Sequence, residues 1–148
     1  MKMRFLLIED QSSSVELASR VLGDFASRID HTPRGTLEEG MRMAREGHYD
    51  VILLDLRLDD SDREETMAAI PELKRAGQAP VVVMSGWPDP TIGRQCLRAG
   101  ADAFVSKDEL TTALLMAVQV ALANAPNKER APTFVEHAAL LNRLLGIA

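Results

Sequence analysis

At 148 residues with 46% hydrophobic content, the chain is sized for one compact domain with its own core and at most a small appendage. A net charge of −5 argues against a basic nucleic-acid-binding face, a single cysteine (Cys96) excludes an internal disulfide, and no Cys/His cluster has metal-ligand spacing. The short apolar start is closed by Glu9-Asp10, too early for a signal peptide, and no stretch approaches the ~18 apolar residues of a membrane span, so a soluble cytoplasmic protein is expected.

Met3 to Ile8 reads as a first strand, nearly all apolar, ending at the acid pair Glu9-Asp10. Ser13 with Glu16 fits a capping box for a helix that turns Val15, Ala18, Leu22 and Phe25 inward. Ile29 to Arg34 is a weak second strand whose Pro33 suits an edge position. Thr36 and Glu39 form another capping box, opening a helix to about Glu46 with Leu37, Met41 and Ala44 inward.

Val51-Ile52-Leu53-Leu54-Asp55 has the aliphatic, β-branched character of a strand buried on both faces, and it ends in a bare carboxylate. The polar run from Arg57 to Asp62 leads into a helix from about Arg63 carrying Met67 and Ile70. Pro71 should kink or restart that helix, since a mid-helix proline costs ~3 kcal/mol. Pro80 to Ser85 is a fourth strand. Asp89-Pro90 starts a helix with cap and N1 proline in order; it carries Ile92, Cys96 and Leu97 and stops at Gly100.

Ala103 to Ser106 is the fifth strand, ending at Lys107. Asp108 and Glu109 begin an apolar helix to about Asn124, with Leu110, Leu114, Ala117, Val118 and Ala121 spaced to dock. Residues 125–132 read as a linker containing Pro126 and Pro132. A last helix over 133–148 is capped by Thr133 with Glu136 and has Gly146 at its C-terminal end. Phe134, Val135, Ala138, Leu141, Leu144 and Leu145 make it apolar over more than one face, so it either docks on its own domain or pairs with a second copy.

Five strand patterns alternating with helices predict an α/β fold, a doubly wound, five-stranded parallel sheet of order 2-1-3-4-5. That order gathers Glu9, Asp10, Asp55, Ser85 and Lys107 on the carboxyl edge, where open α/β sheets place their chemistry. Crowded carboxylates repel unless a cation intervenes, and hard oxygen ligands with room for water suit Mg²⁺. A serine hydroxyl can donate to a phosphoryl oxygen and the lysine ammonium can pair with another. In such a site Asp55 is the nucleophile of an in-line phosphoryl transfer.

This constellation resembles the receiver domain of two-component response regulators over about residues 3 to 124. Glu9-Asp10 matches the family's metal-binding pair, Asp55 its phosphoacceptor, Ser85 followed by Gly86 its hydroxyl switch residue, and Lys107 its lysine. Gly100-Ala101-Asp102-Ala103-Phe104 is similar to the family's Gly-Ala-Asp-Asp-Tyr segment and puts Phe104 at the aromatic switch position, although core packing explains that residue equally well. The resemblance implies that the backbone carbonyl of Arg57 joins the metal shell. It also implies that a histidine kinase or phosphotransferase supplies the phosphoryl group. Output would then pass through protein contacts, with dimerisation through the C-terminal helix or the surface of the fourth helix, fifth strand and fifth helix as one route.

Departures from the family pattern carry their own expectations. Asp108 replaces the proline that usually follows the lysine, so a trans peptide with some displacement of Lys107 is expected. The usual proline and glycine after the phosphoacceptor strand give way to Asp59, Asp60 and Asp62, read as a solvated turn in preference to a second metal site. Trp87 is bulky beside the site and would screen Asp55 from water.

The same residues bear on two other functions. Haloacid dehalogenase-like phosphatases carry a second aspartate two residues after the nucleophile, where this chain has Arg57. The alternative is a degenerate receiver acting as a phosphorylation-independent interaction module; the intact five-residue set argues against it, while the loop departures keep it open. His31, His48 and His137 stand apart from any phosphorelay role, and Cys96 reads as a core residue.

Overall fold

Strands that are apolar on both faces need a helical layer on each side, because successive side chains point to opposite faces of the sheet. The computed structural model describes residues 3–86 and 89–124. Five strands, β1 (Met3–Ile8), β2 (Ala26–His31), β3 (Val51–Asp55), β4 (Val81–Ser85) and β5 (Ala103–Ser106), pair in parallel in the order β2-β1-β3-β4-β5. The connecting helices are α1 (Ser12–Leu22), α2 (Leu37–Glu46), α3 (Arg63–Gly77), α4 (Pro90–Ala99) and α5 (Leu110–Ala123), the last preceded by a 3₁₀ turn over Lys107–Glu109. The predicted doubly wound sheet is the one observed.

Alternation divides the interior into two cores. Phe5, Leu7, Val51, Leu53, Val82 and Met84 face α1 and α5, packing on Ala18, Leu22, Leu114 and Val118. Leu6, Ile8, Ile52, Leu54, Val81 and Val83 face the other way, onto Met41 and Ala44 of α2, Ile70 and Leu73 of α3, and Ile92 and Cys96 of α4. Each such side chain contributes ~1.5–3 kcal/mol of burial. Cys96 is fully buried, which pushes its thiol up to about 11 and makes it a packing residue, as expected.

Several boundaries differ from the sequence reading. β2 spans Ala26–His31, three residues earlier than Ile29 to Arg34, and Pro33 falls beyond its ladder. The chain turns straight out of α1, with the Phe25 amide donating to the Leu22 carbonyl and the Phe25 carbonyl accepting from Met3, so pairing begins at Ala26. Ser27 and Arg28 lie exposed on this edge strand, so no apolar alternation announced it. The Ser13–Glu16 capping box does not form. α1 starts at Ser12 behind Gln11, because the Glu9 carboxylate already accepts from the Asp10 and Gln11 amides and winds the chain early.

Pro71 neither breaks nor restarts α3, which runs unbroken from Arg63 to Gly77. Fully buried Ile70 and Leu73 flank the proline, and their packing outweighs the one lost backbone bond. The buried face of α3 is Thr66, Ile70 and Leu73, with Met67 only partly covered. Leu97 lies half-exposed on α4 while its neighbour Cys96 is buried. Thr36 caps α2 and Asp89 caps α4 as predicted, and Gly100 closes α4 at φ 117°, a conformation that favours glycine. Trp87 and the segment 125–148, with its predicted linker and helix, lie outside the described residues.

Candidate functional site

Register places the site residues. Ile8 pairs with Leu54, so Glu9 and Asp55 follow side by side as β1 and β3 end. Asp55 pairs with Met84, which puts Ser85 one residue further along β4, and Ser85 pairs with Ser106, directly before Lys107. Glu9 and Asp55 also share the strand parity of Leu7 and Leu53, so their side chains start from the same face of the sheet.

The geometry is tight. Lys107 Nζ lies 2.7 Å from Glu9 Oε2 and 3.1 Å from Asp55 Oδ2, and it donates at 3.0 Å to Gln11 Oε1. Gln11 and Asp55 accept hydrogen bonds from the ammonium, and Glu9 is its ion-pair partner. The Arg57 amide donates to Asp55 Oδ1 at 3.2 Å. Glu9 is fully buried, Asp55 and Ser85 nearly so, and Asp10 is exposed. Asp10, Asp55, Arg57, Ser85 and Lys107 line one cavity of about 530 Å³. All five residues singled out in the sequence therefore meet at one edge.

Expectations about the loops fare differently. No peptide bond among the described residues is cis, so Lys107-Asp108 is trans as expected. The predicted displacement of Lys107 from the site does not occur. A 3₁₀ turn, begun by the Ser106 hydroxyl accepting from the Asp108 amide, takes up the chain reversal and leaves the ammonium in contact with Asp55. The acidic run after Arg57 is more than a solvated turn. Asp60 accepts from the Leu37 and Glu38 amides at 2.7 and 3.1 Å, capping α2, and Asp62 forms a capping box with Glu65 on α3. Asp59 stays exposed beside Asp10, whose charge raises its carboxyl.

Phe104 is half-buried against Gly93, where an added Cβ would come within 3.0 Å of the ring. His31 and His48 are exposed and line no part of this cavity. Sequence reasoning missed Gln11, Thr32 and Gly35. Thr32 is buried and brackets Glu9, its hydroxyl accepting from the Glu9 amide at 3.2 Å and donating to the Glu9 carbonyl at 3.3 Å. No local pattern signals a threonine that acts 23 residues away.

Electrostatics follow from burial. Desolvation pushes the Glu9 carboxyl up to about 7, the Asp55 charge adds to it, and Lys107 opposes. Burial alone would lower the Lys107 ammonium, but Glu9 and Asp55 outweigh it and hold it above the usual lysine range. A carboxyl raised on folding binds its proton more tightly in the native state, so its stabilising contribution is complete below pH ~4.5 and is lost as pH rises through about 7. Metal-free protein should therefore lose stability across that window in denaturant titrations, and Glu9→Gln should flatten the loss. An unchanged slope in Glu9→Gln would assign it to other groups.

Oxygens of Glu9, Asp10 and Asp55 lie within 4.8 Å of one another. Three carboxylates against one ammonium leave two negative charges when all are ionised, the charge of one divalent cation. Glu9 Oε2 is buried and makes no hydrogen bond among the described residues, with the Lys107 ammonium 2.7 Å away as an ion-pair partner. A hard, oxygen-seeking divalent ion fits this donor set.

Comparison with known proteins agrees with the geometry. The chain is 30% identical over 105 residues to the cell cycle transcriptional regulator CtrA of Caulobacter vibrioides, covering 71% of this chain and 44% of that one. It spans 56% or less of the length of the first curated relatives it matches. Its fold matches a response regulator from Burkholderia pseudomallei, solved with a phosphorylated aspartic acid, calcium ion and citrate, at TM-score 0.67 and 18% identity over 99% of this chain and 94% of that one. A CheY-like receiver domain protein from Methanospirillum hungatei matches at TM-score 0.64 and 17% identity, covering 93% and 97% of the two chains. The family model of the response regulator receiver domain matches residues 5–119, and on that match this chain belongs to the receiver-domain family of two-component signalling.

Proposed function

We propose that the chain is a phosphorylatable receiver in which Asp55 takes a phosphoryl group from a histidine kinase or phosphotransferase, with Mg²⁺ held by Glu9, Asp10, Asp55 and the backbone carbonyl of Arg57. The observation that carries this reading is the single ammonium, Lys107 Nζ, held 3.1 Å from Asp55 Oδ2 among three carboxylates at the edge of an open cavity.

In the transfer, an Asp55 oxygen forms the new O–P bond in line with the breaking P–N bond of the phosphohistidine, and the departing imidazole nitrogen keeps the electron pair. Mg²⁺ would supply charge neutralisation for the transferring phosphoryl oxygens. Lys107 pairs with one of those oxygens as well as with Asp55, and the Ser85 hydroxyl donates to another. Burial of Asp55 keeps solvent from competing for its oxygens.

The acyl phosphate carries close to two negative charges where the carboxylate carried one, together with strong acceptor oxygens. Ser85 and Lys107 are drawn to them, and Phe104 transmits the shift to α4 through its contact with Gly93. The response then passes to a protein partner or a second copy at the α4-β5-α5 surface. Incubation with acetyl phosphate and MgCl₂, followed by intact-mass measurement, should show one added phosphoryl group. EDTA should abolish it, and no mass gain with Mg²⁺ present would leave a phosphorylation-independent interaction module as the function.

A further inference from the structure

Both acids at the end of β1 are held from one side by the same short stretch, residues 32–36, between β2 and α2. Thr32 hangs from β1 by its own amide, which donates to the Leu7 carbonyl at 3.0 Å. Its hydroxyl then closes on the amide and carbonyl of Glu9, so Glu9 is bracketed in both directions. Three residues on, Gly35 is buried at φ 65°, where a side chain is disfavoured. A Cβ at Gly35 would stand 2.2 Å from Asp10 Cβ and 2.9 Å from Asp10 Cα. The Gly35 carbonyl meanwhile accepts from the Asp59 amide at 3.2 Å, and Asp60 next to it caps α2. One glycine therefore touches the backbone of Asp10 and also ties down the loop that carries Arg57.

We propose that Gly35 and Thr32 are positioning residues for the divalent-cation site, setting the separation between Asp10, Glu9 and the Arg57 loop. The inference rests on the Mg²⁺ reading above. The clash at Gly35 is with backbone and Cβ atoms, so it cannot be relieved by rotating a side-chain tip. Either Asp10 moves off, or residues 32–36 lift away and pull on Asp59. Both routes change the spacing of the oxygens offered to the ion. Mg²⁺ is sensitive to such changes because it demands near-ideal octahedral geometry. Supporting residues of this kind typically alter metal affinity by ~10–100-fold.

The test is calorimetric titration of MgCl₂ into the full chain, well below its unfolding temperature, for wild type, Gly35→Ala, Thr32→Val and Thr32→Ser. Leu73→Ala, a core change in α3 remote from these residues, reports what lost stability alone does to affinity. Gly35→Ala and Thr32→Val are expected to raise the Mg²⁺ Kd by ~10–100-fold, while Thr32→Ser, which keeps the hydroxyl, and Leu73→Ala stay close to wild type. In the two weakened variants, excess Mg²⁺ should restore the rate of phosphorylation by acetyl phosphate. Wild-type Kd values in both Gly35→Ala and Thr32→Val overturn the inference. Should Gly35→Ala fail to fold, the threonine pair decides, and equal Kd values for valine and serine overturn it. A wild type that takes up no Mg²⁺ removes the metal reading itself, which separates that failure from one confined to the variants.

Discussion

Asp55→Asn should gain no phosphoryl mass from acetyl phosphate and Mg²⁺ under conditions in which wild type is labelled. The amide keeps the volume of the carboxylate but has no anionic oxygen to attack phosphorus. Its fold should survive, for two opposing reasons. An amide turns one polar contact the wrong way, because both Asp55 oxygens now accept, one from Lys107 and one from the Arg57 amide. Leaving such a partner unsatisfied costs ~1–3 kcal/mol. Against that, the Asp55 charge helps push the Glu9 carboxyl up to about 7, so its removal relieves a buried repulsion and should bring Glu9 down. Intact mass checks the first expectation. The pH dependence of metal-free stability checks the second, with the sloping window contracting toward lower pH. Labelling of Asp55→Asn to the wild-type level would mean another residue is the acceptor.

Asp102→Ala should lower stability substantially. Asp102 is nearly buried and ties the turn before β5 to two elements: Oδ1 faces Lys74 Nζ of α3 at 3.1 Å, Oδ2 accepts from the Val81 amide of β4 at 2.9 Å, and the Asp102 amide donates to the Val81 carbonyl. Lys74 also donates to the Gly100 carbonyl at 3.0 Å. Removing one partner of a buried pair leaves the other charge uncompensated, at a cost of ~3–5 kcal/mol. The value lies toward the lower end, because Lys74 is 23% exposed and keeps the Gly100 carbonyl. In a urea titration the midpoint should fall with the slope unchanged, and Asp102→Asn should lie between the two, since it can still accept from Val81. Phosphorylation measured well below the midpoint should persist, as Asp102 lines no part of the Asp55 cavity. A midpoint within error of wild type would show that this junction is not a major stabilising contact.

The parts of the molecule legible in the chain are those where cause and effect lie close together in sequence. Aliphatic runs such as Val51–Leu54 declare strands buried on both faces, and helix caps such as Thr36 and Asp89 act within three residues. Alternation of strand and helix then leaves so few arrangements that the carboxyl-edge gathering of Glu9, Asp10, Asp55, Ser85 and Lys107 follows. What the amino-acid order left open involves neighbours that only folding supplies. Edge strand β2 has no apolar alternation, so its start is set by its ladder with β1. Pro71 stays helical because buried packing on either side outweighs a local penalty.

The Lys107 ammonium finds Gln11 across 96 residues, Asp60 caps a helix 23 residues before it, and Thr32 brackets an acid 23 residues upstream. Hydrogen bonds of that span depend on the relative placement of whole elements, which short-range propensity does not encode. The chain by itself determined which groups would meet and the chemistry they are suited to. Tertiary structure alone decided how they are held, because position within a shared edge is a property of packed strands and the loops pressed against them.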